Sequence, residues 1–171
     1  VGDMMAKLMI LRGNSGSGKT STAKLLQEAL GEGTILISQD LLRREMLRVK
    51  DKVGNISTEL LRTMIEFGME HCKYVVVEGI LTRRKHGDML IEMVNKYNDA
   101  SYVYYFDIPF EETLRRHQYK QNVEFGEDEM RQWFLDKDYL EVEGEYIITE
   151  ELSQKEIIEM IKGANDVRSG L

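Results

Sequence analysis

A length of 171 residues suits one domain and is enough to bury a single core. The 30 Asp and Glu against 23 Lys and Arg give a net charge of −7, which argues against a general nucleic-acid binder, because backbone binding draws on surplus positive charge. One cysteine, Cys72, excludes an internal disulfide, and no apolar run approaches the roughly 18 residues of a membrane span.

The start, Val1-Gly2-Asp3-Met4-Met5, has neither the basic nor the apolar region of a signal peptide, so a soluble cytoplasmic protein is expected. Cys72 then reads as a small core thiol. Residues 1–3 and 167–171 read as frayed ends. Residues 7–12 form a short apolar run that predicts a buried strand, and Gly13-Asn14-Ser15-Gly16-Ser17-Gly18-Lys19-Thr20 comes directly after it. This run satisfies G-x-x-x-x-G-K-[ST], the phosphate-binding loop, and residues 21–30 continue as a helix with Leu25, Leu26, Ala29 and Leu30 predicted on one face. Strand, glycine loop and helix are the context the motif requires. The glycines let backbone N–H groups curl toward phosphate oxygens, and the helix start adds its positive dipole end. Lys19 is placed to reach the β- and γ-phosphates and Thr20 to hold Mg²⁺, with Ser21 at the rim. The loop therefore predicts nucleoside triphosphate binding.

Gly31-Glu32-Gly33 ends that helix, and residues 34–37 read as a second strand stopping at Ser38-Gln39-Asp40. A basic helical stretch is expected over 41–49, then a polar loop over 50–56. Ser57 is placed to cap a helix running to about His71, with Leu61, Met64, Ile65, Gly68 and Cys72 inward. The run Tyr74-Val75-Val76-Val77 predicts a strand covered on both faces, ending at Glu78-Gly79. Residues 81–87 read as a basic loop and 88–97 as a helix. Residues 102–106 form the fourth strand, and Pro109, the only proline, opens a helix that carries Glu111 and Glu112 first and basic residues last. Asp107 is placed to cap it. Gly126 separates a further helix over about 127–138, residues 146–148 read as a last strand, and Ser153-Gln154-Lys155-Glu156 is a capping box for a helix that Gly163 ends.

Strands alternate with helices throughout, without repeats or linkers. The expected fold is α/β, a doubly wound three-layer sandwich with a parallel sheet of about five strands, in one domain with a core over about 6–163 and a small helical lid over about 115–138. Ligands of such folds lie beyond the carboxyl ends of the strands, and those ends carry the charged residues. The first ends in the phosphate loop. The second ends at Asp40, with Arg43 and Arg44 beyond it. The third ends at Glu78, followed by Arg83, Arg84, Lys85 and His86. The fourth ends at Asp107, and its helix delivers Arg115, Arg116, His117 and Lys120.

Acids and arginines gathered around a phosphate loop suit phosphoryl transfer, in which positioning and charge neutralisation dominate. Asp40, just ahead of a helix and three residues from Arg43, is the candidate base for an acceptor hydroxyl and also a candidate N-cap. Glu78 is its rival and the candidate ligand, with Thr20, for Mg²⁺ and its waters. Asp40, Arg43, Arg44, Glu78 and Arg83 form the candidate acceptor-binding set. Arg115 and Arg116 precede a polar stretch, 118–129, that could fold over the triphosphate as a lid. Arg131 and Trp133 are candidates on the substrate side, and Trp133 also reads as a packing residue. His86 and His117 lack a second ligand at helical spacing, so no zinc site is expected.

These segments together, residues 13–20, Asp40-Leu41-Leu42-Arg43, Val77-Glu78-Gly79 and the run from Phe106 to His117, resemble small bacterial P-loop kinases, the group of chloramphenicol phosphotransferase, zeta toxins and the kinase domain of phage polynucleotide kinase. The resemblance spans about residues 6–150. It implies that Asp40 activates the acceptor hydroxyl with Arg43 nearby, that Arg115 or Arg116 contacts the phosphates, and that ATP with Mg²⁺ is the donor. The expected partner is a small molecule bearing a hydroxyl, such as a nucleoside, sugar, antibiotic or nucleotide sugar, with the oligomeric state open. The alternatives are a kinase of nucleic-acid 5′-hydroxyl ends and a P-loop ATPase or GTPase switch. Against a GTPase, Asn95-Lys96-Tyr97-Asn98 misses N-K-x-D at its fourth place and precedes a strand.

Overall fold

The computed structural model describes residues 5–121 and 123–169. Five parallel strands, β1 (Lys7–Gly13), β2 (Thr34–Ser38), β3 (Tyr74–Gly79), β4 (Ser101–Asp107) and β5 (Tyr146–Thr149), lie in the order β2-β3-β1-β4-β5. Period-two alternation divides the apolar strand residues between two layers. Leu8, Ile10, Val75, Val77 and Val103 face helices α3 (Ser57–His71) and α4 (Arg83–Lys96). Met9, Leu11, Val76, Tyr102 and Tyr104 face α1 (Lys19–Leu30) and α7 (Gln154–Ser169). The expected doubly wound sandwich is therefore present. Its switch in strand order falls between β3 and β4, on either side of β1, which puts the phosphate loop at the crevice such sheets use.

Several local expectations change. In α1 the buried stripe is Lys19, Thr22, Ala23 and Leu26, with Leu30 partly buried, while Leu25 and Ala29 are exposed. The stripe is counted from Lys19, which the loop turns inward, and this rotates the helix away from the face that leucine spacing suggested. Ser57 does not cap α3. The N-cap position falls on Ile56, and Asn55 just before it accepts the Ser57 N–H on Oδ1 at 3.0 Å, with Ser57 buried in the first turn. The basic loop expected over 81–87 is mostly the first turn of α4, whose N-cap Thr82 accepts the Lys85 N–H at 3.4 Å, with His86, Met89, Leu90 and Met93 inward. The basic stretch after β2 is a short helix α2 (Gln39–Leu41) that widens into a π-helical segment (Leu42–Leu47) and ends at Arg48 in the left-handed region. Cys72 is only half-buried, and Met69 takes an inward place on α3.

Pro109 stands one residue before α5 (Phe110–His117). Asp107 does not cap that helix. Its Oδ2 accepts from Lys137 Nζ at 3.0 Å and from the Tyr139 hydroxyl at 3.1 Å. Helix α6 (Glu127–Trp133) stops five residues early. Side chains take over the backbone groups beyond it: Leu135 pairs with Asn14, the Asp138 N–H donates to the Tyr105 hydroxyl, and the Leu140 and Glu141 N–H groups donate to Glu145. The capping box of α7 is formed, with Ser153 N–H on Glu156 Oε1 and Glu156 N–H on Ser153 Oγ, both at 3.1 Å. Gly163 does not end this helix, which continues to Ser169 and so includes residues 167–169 of the end expected to fray. The expected fraying of residues 1–3 and of 170–171 lies outside the described residues.

Candidate active site

The loop between β1 and α1 turns on glycines that hold positive φ, Gly16 at 81° and Gly18 at 93°, in the left-handed region that favours glycine. A Cβ on Gly16 would meet the Thr113 carbonyl oxygen at 2.5 Å, so α5 rests directly on the loop. Arg116 reinforces this contact: its Nη1 donates to the Ser17 carbonyl at 2.7 Å and its Nε to Glu112 at 2.9 Å. Arg115 also grips Glu112, and the two guanidinium groups hold that carboxylate at about 2.

Lys19 is buried, and its Nζ donates to the Asn14 carbonyl at 3.1 Å. Burial pulls its ammonium down to about 8. Glu78 and Asp40 oppose this, and Lys120 adds to it. Glu78, buried at the end of β3, accepts the Thr20 hydroxyl at 3.1 Å. Asp40 is largely exposed in the first turn of α2, where Arg44 Nε lies at 3.0 Å and Arg43 Nη2 at 3.4 Å. It is inside the helix, so the expected N-cap role does not apply. Arg43 also donates to the Val49 carbonyl at 3.1 Å.

A cleft of about 900 Å³ opens over residues 16–22 and is closed by Glu112, Arg115, Arg116, Tyr119 and Lys120 on one side and by residues 150–154 on the other. Gln154 Nε2 donates to the hydroxyls of Ser21 at 2.9 Å and Thr22 at 3.3 Å across it. Of the residues singled out in the sequence, Gly16, Ser17, Gly18, Lys19, Thr20, Ser21, Arg115 and Arg116 line this cleft. Asp40 and Glu78 lie outside its lining but act on Lys19 at its end. The Asn14 side chain turns away from the cleft to Leu135, donating to its carbonyl at 2.7 Å and accepting its N–H at 2.9 Å. Arg83 pairs with Glu141 at 2.8 Å on the far side of the β3–α4 turn.

Sequence reasoning gave Lys120 no role of its own. It makes no salt bridge among the described residues, and partial burial lowers its ammonium against the upward pull of Glu78 and Asp40. Its place four residues after Arg116, one turn on, was the available signal. Arg131 packs its guanidinium over the Phe110 ring at 4.5 Å, and Trp133 meets Phe125 edge-on at 5.0 Å while 42 % exposed. Neither lines the cleft. His86 bonds Thr58 at 2.9 Å, and His117 Nε2 bonds the Phe125 carbonyl at 2.9 Å.

The profile of one protein family, described as AAA domain, matches residues 8–134. The chain belongs to the AAA-domain family. Solved structures agree in fold with this AAA-domain protein. The Mycobacterium tuberculosis APS kinase in complex with AMPPNP and APS superposes with a TM-score of 0.72 at 19 % identity, covering 95 % of this chain and 98 % of that one. A gluconokinase from Sinorhizobium meliloti gives 0.64 at 16 % identity, with coverages of 98 % and 95 %. The tunicamycin resistance protein of Deinococcus radiodurans gives 0.64 at 14 %, with 93 % and 95 %. No curated protein sequence matches the chain. Family and fold bear out the resemblance to small P-loop kinases. No helix among the described residues is long and apolar enough to cross a membrane.

Proposed function

We propose that this protein transfers the γ-phosphoryl group of Mg²⁺–ATP to a hydroxyl of a small molecule. The observation that carries the reading is a pair of carboxylates of different character at the ends of the paired strands β2 and β3, beside the phosphate loop. Glu78 is buried and bonded to Thr20, whereas Asp40 is exposed and braced by Arg43 and Arg44. An ATPase needs only the first. A kinase needs a second, accessible carboxylate where the acceptor enters.

The residues divide into donor and acceptor halves. The N–H groups of residues 13–20 cradle the phosphates, and Lys19 meets the β- and γ-oxygens. The hydroxyl of Thr20 and the carboxylate of Glu78 are hard oxygen donors 3.1 Å apart, the donor chemistry that suits Mg²⁺, with phosphate oxygens and water completing the shell. Held by these two residues, Mg²⁺ would supply charge neutralisation to the phosphates. Arg115, Arg116 and Lys120 offset charge that builds on the equatorial oxygens. Asp40 accepts the proton of the acceptor hydroxyl as that oxygen bonds to the γ-phosphorus and the bond from phosphorus to the β–γ bridging oxygen breaks, releasing ADP. Arg43 and Arg44 orient the carboxylate, and Tyr119, Lys120 and Gln121 wall the cleft against water.

The test is ADP release with Mg²⁺–ATP across a panel of nucleosides, sugars, antibiotics and nucleotide sugars, read above the acceptor-free rate. Stimulation by one chemical class supports the kinase. Acceptor-independent hydrolysis alone across a broad panel would favour an ATPase.

A further inference from the structure

Strand β1 carries an arginine near its end that solvent does not reach. Arg12 is 0 % exposed, and its guanidinium is spent on the chain around it. Nε and Nη2 both donate to the Leu81 carbonyl, at 3.0 and 2.8 Å. Nη1 donates to the Asp138 carbonyl at 2.8 Å and faces Glu145 at 3.8 Å, and Nη2 reaches Asp138 Oδ2 at 3.1 Å. The same Asp138 oxygen accepts the N–H of Arg83 at 2.9 Å.

Burying a charge is costly, and a well-packed apolar residue would fill the end of a strand at less cost, so stability alone does not account for arginine here. What an apolar residue cannot supply is a planar fork of donors. The fork lands on an unusual acceptor. Leu81 holds φ +45°, in the left-handed region that leucine rarely adopts, and is itself buried. Its side chain closes on Gly79, where a Cβ would lie 3.1 Å from Leu81 Cγ and 3.1 Å from Gln39 Cβ. Gln39 immediately precedes Asp40. One contact path therefore runs from Arg12 through Leu81 and Gly79 to the junction that presents Asp40.

We propose that Arg12 is a positioning residue of the transfer site. By holding the Leu81 carbonyl in its left-handed turn, it fixes the β3–α4 connection against the Gln39–Asp40 junction. It thereby sets the acceptor half of the site relative to the phosphate loop that starts at the next residue. The proposal rests on the kinase reading given above.

The test uses Arg12→Lys in the full chain, with Arg12→Met and Asp138→Asn beside it. Lysine keeps a charge for Asp138 but has no fork for Leu81. Arg12→Lys is expected to melt cooperatively and to bind a fluorescent ATP analogue with Mg²⁺ within about threefold of wild type. Amide exchange over residues 79–84 is expected to quicken by about tenfold or more, with no change over residues 8–20. Where an acceptor has been found, kcat falls by about tenfold or more at constant KM for ATP. Unchanged exchange over 79–84 would overturn the proposal, as would a parallel loss of nucleotide affinity or a loss of cooperative folding in all three variants. The exchange result needs no acceptor. A wild-type protein without acceptor-dependent ADP release would count against the kinase reading alone.

Discussion

The Thr20 hydroxyl donates to Glu78 Oε2 across 3.1 Å, tying the start of α1 to the end of β3. Glu78 stands near the carboxyl end of β3, beside β1, and Thr20 in the first turn of α1 beyond the phosphate loop, so the bond sets two oxygen donors next to that loop. Glu78→Gln and Thr20→Ala are each expected to weaken Mg²⁺ affinity in the presence of ATP by about 10- to 100-fold. Titrating Mg²⁺ at fixed ATP checks this. An unchanged metal requirement in both variants would remove the pair from the metal site.

Lys19→Ala is expected to cut transfer by at least about 10²–10³-fold while the protein stays folded. The free protein loses the Lys19 proton as pH rises through about 8, and bound phosphate favours the charged form. Nucleotide affinity should therefore be full below about pH 8 and fall by up to about tenfold per pH unit above it, with proton uptake on binding. Calorimetry in buffers of different ionisation enthalpy measures that proton. Lys19→Arg should flatten the profile, since arginine stays charged.

Asp40→Asn should keep ATP affinity and lose about 10²–10⁴-fold in turnover. Full activity would sink the base assignment and promote Glu78. Arg44→Ala, which removes the closer of the two braces, should raise KM for the acceptor more than KM for ATP.

Gly16→Ala is expected to cost more than about 2 kcal/mol and to abolish nucleotide binding. Two effects add: a positive φ of 81°, and a Cβ 2.5 Å from the Thr113 carbonyl, which is backbone and cannot swing aside. Thermal melting and a binding assay read both. A variant as stable as wild type would mean that α5 yields at this contact.

His86 gives a stability signature apart from catalysis. Burial pushes its imidazole down to about 4 from an ordinary 6.5, so the folded protein holds it neutral while the unfolded chain takes up a proton. The contribution is present above about pH 6.5 and is lost as pH falls toward 4, by about 2–3 kcal/mol in total. Denaturant melts between pH 4 and 7 should show this slope, and His86→Gln should remove most of it.

The strands, the phosphate loop and the sandwich were legible because each rests on a local pattern: the uninterrupted valines of β3, the glycine spacing before Lys19, and the apolar run of β1. Leu25 and Ala29 misled because helical spacing identifies a stripe without saying which way a motif residue such as Lys19 rotates it. Residues 134–145 were unreadable for another reason. Their backbone is satisfied by Asn14, Tyr105 and Glu145, two of them far away in sequence. Asp40, Arg43 and Glu78 could be named from their strand ends. Arg12 could not, because a basic residue inside an apolar run looks like an interruption until its acceptors, Leu81 and Asp138, are brought to it.

The π-helical segment over Leu42–Leu47 has a genetic corollary. A π turn holds about one residue more than an α turn, so the segment is equivalent to an inserted codon in an otherwise regular helix. Deleting one residue there would let the ladder relax to α geometry and rotate Arg48 and the chain to Asp51 about the axis. The strands and the phosphate loop would keep their register. A single-codon deletion is thus a hereditary step that re-aims the chain following Asp40 without disturbing the sheet.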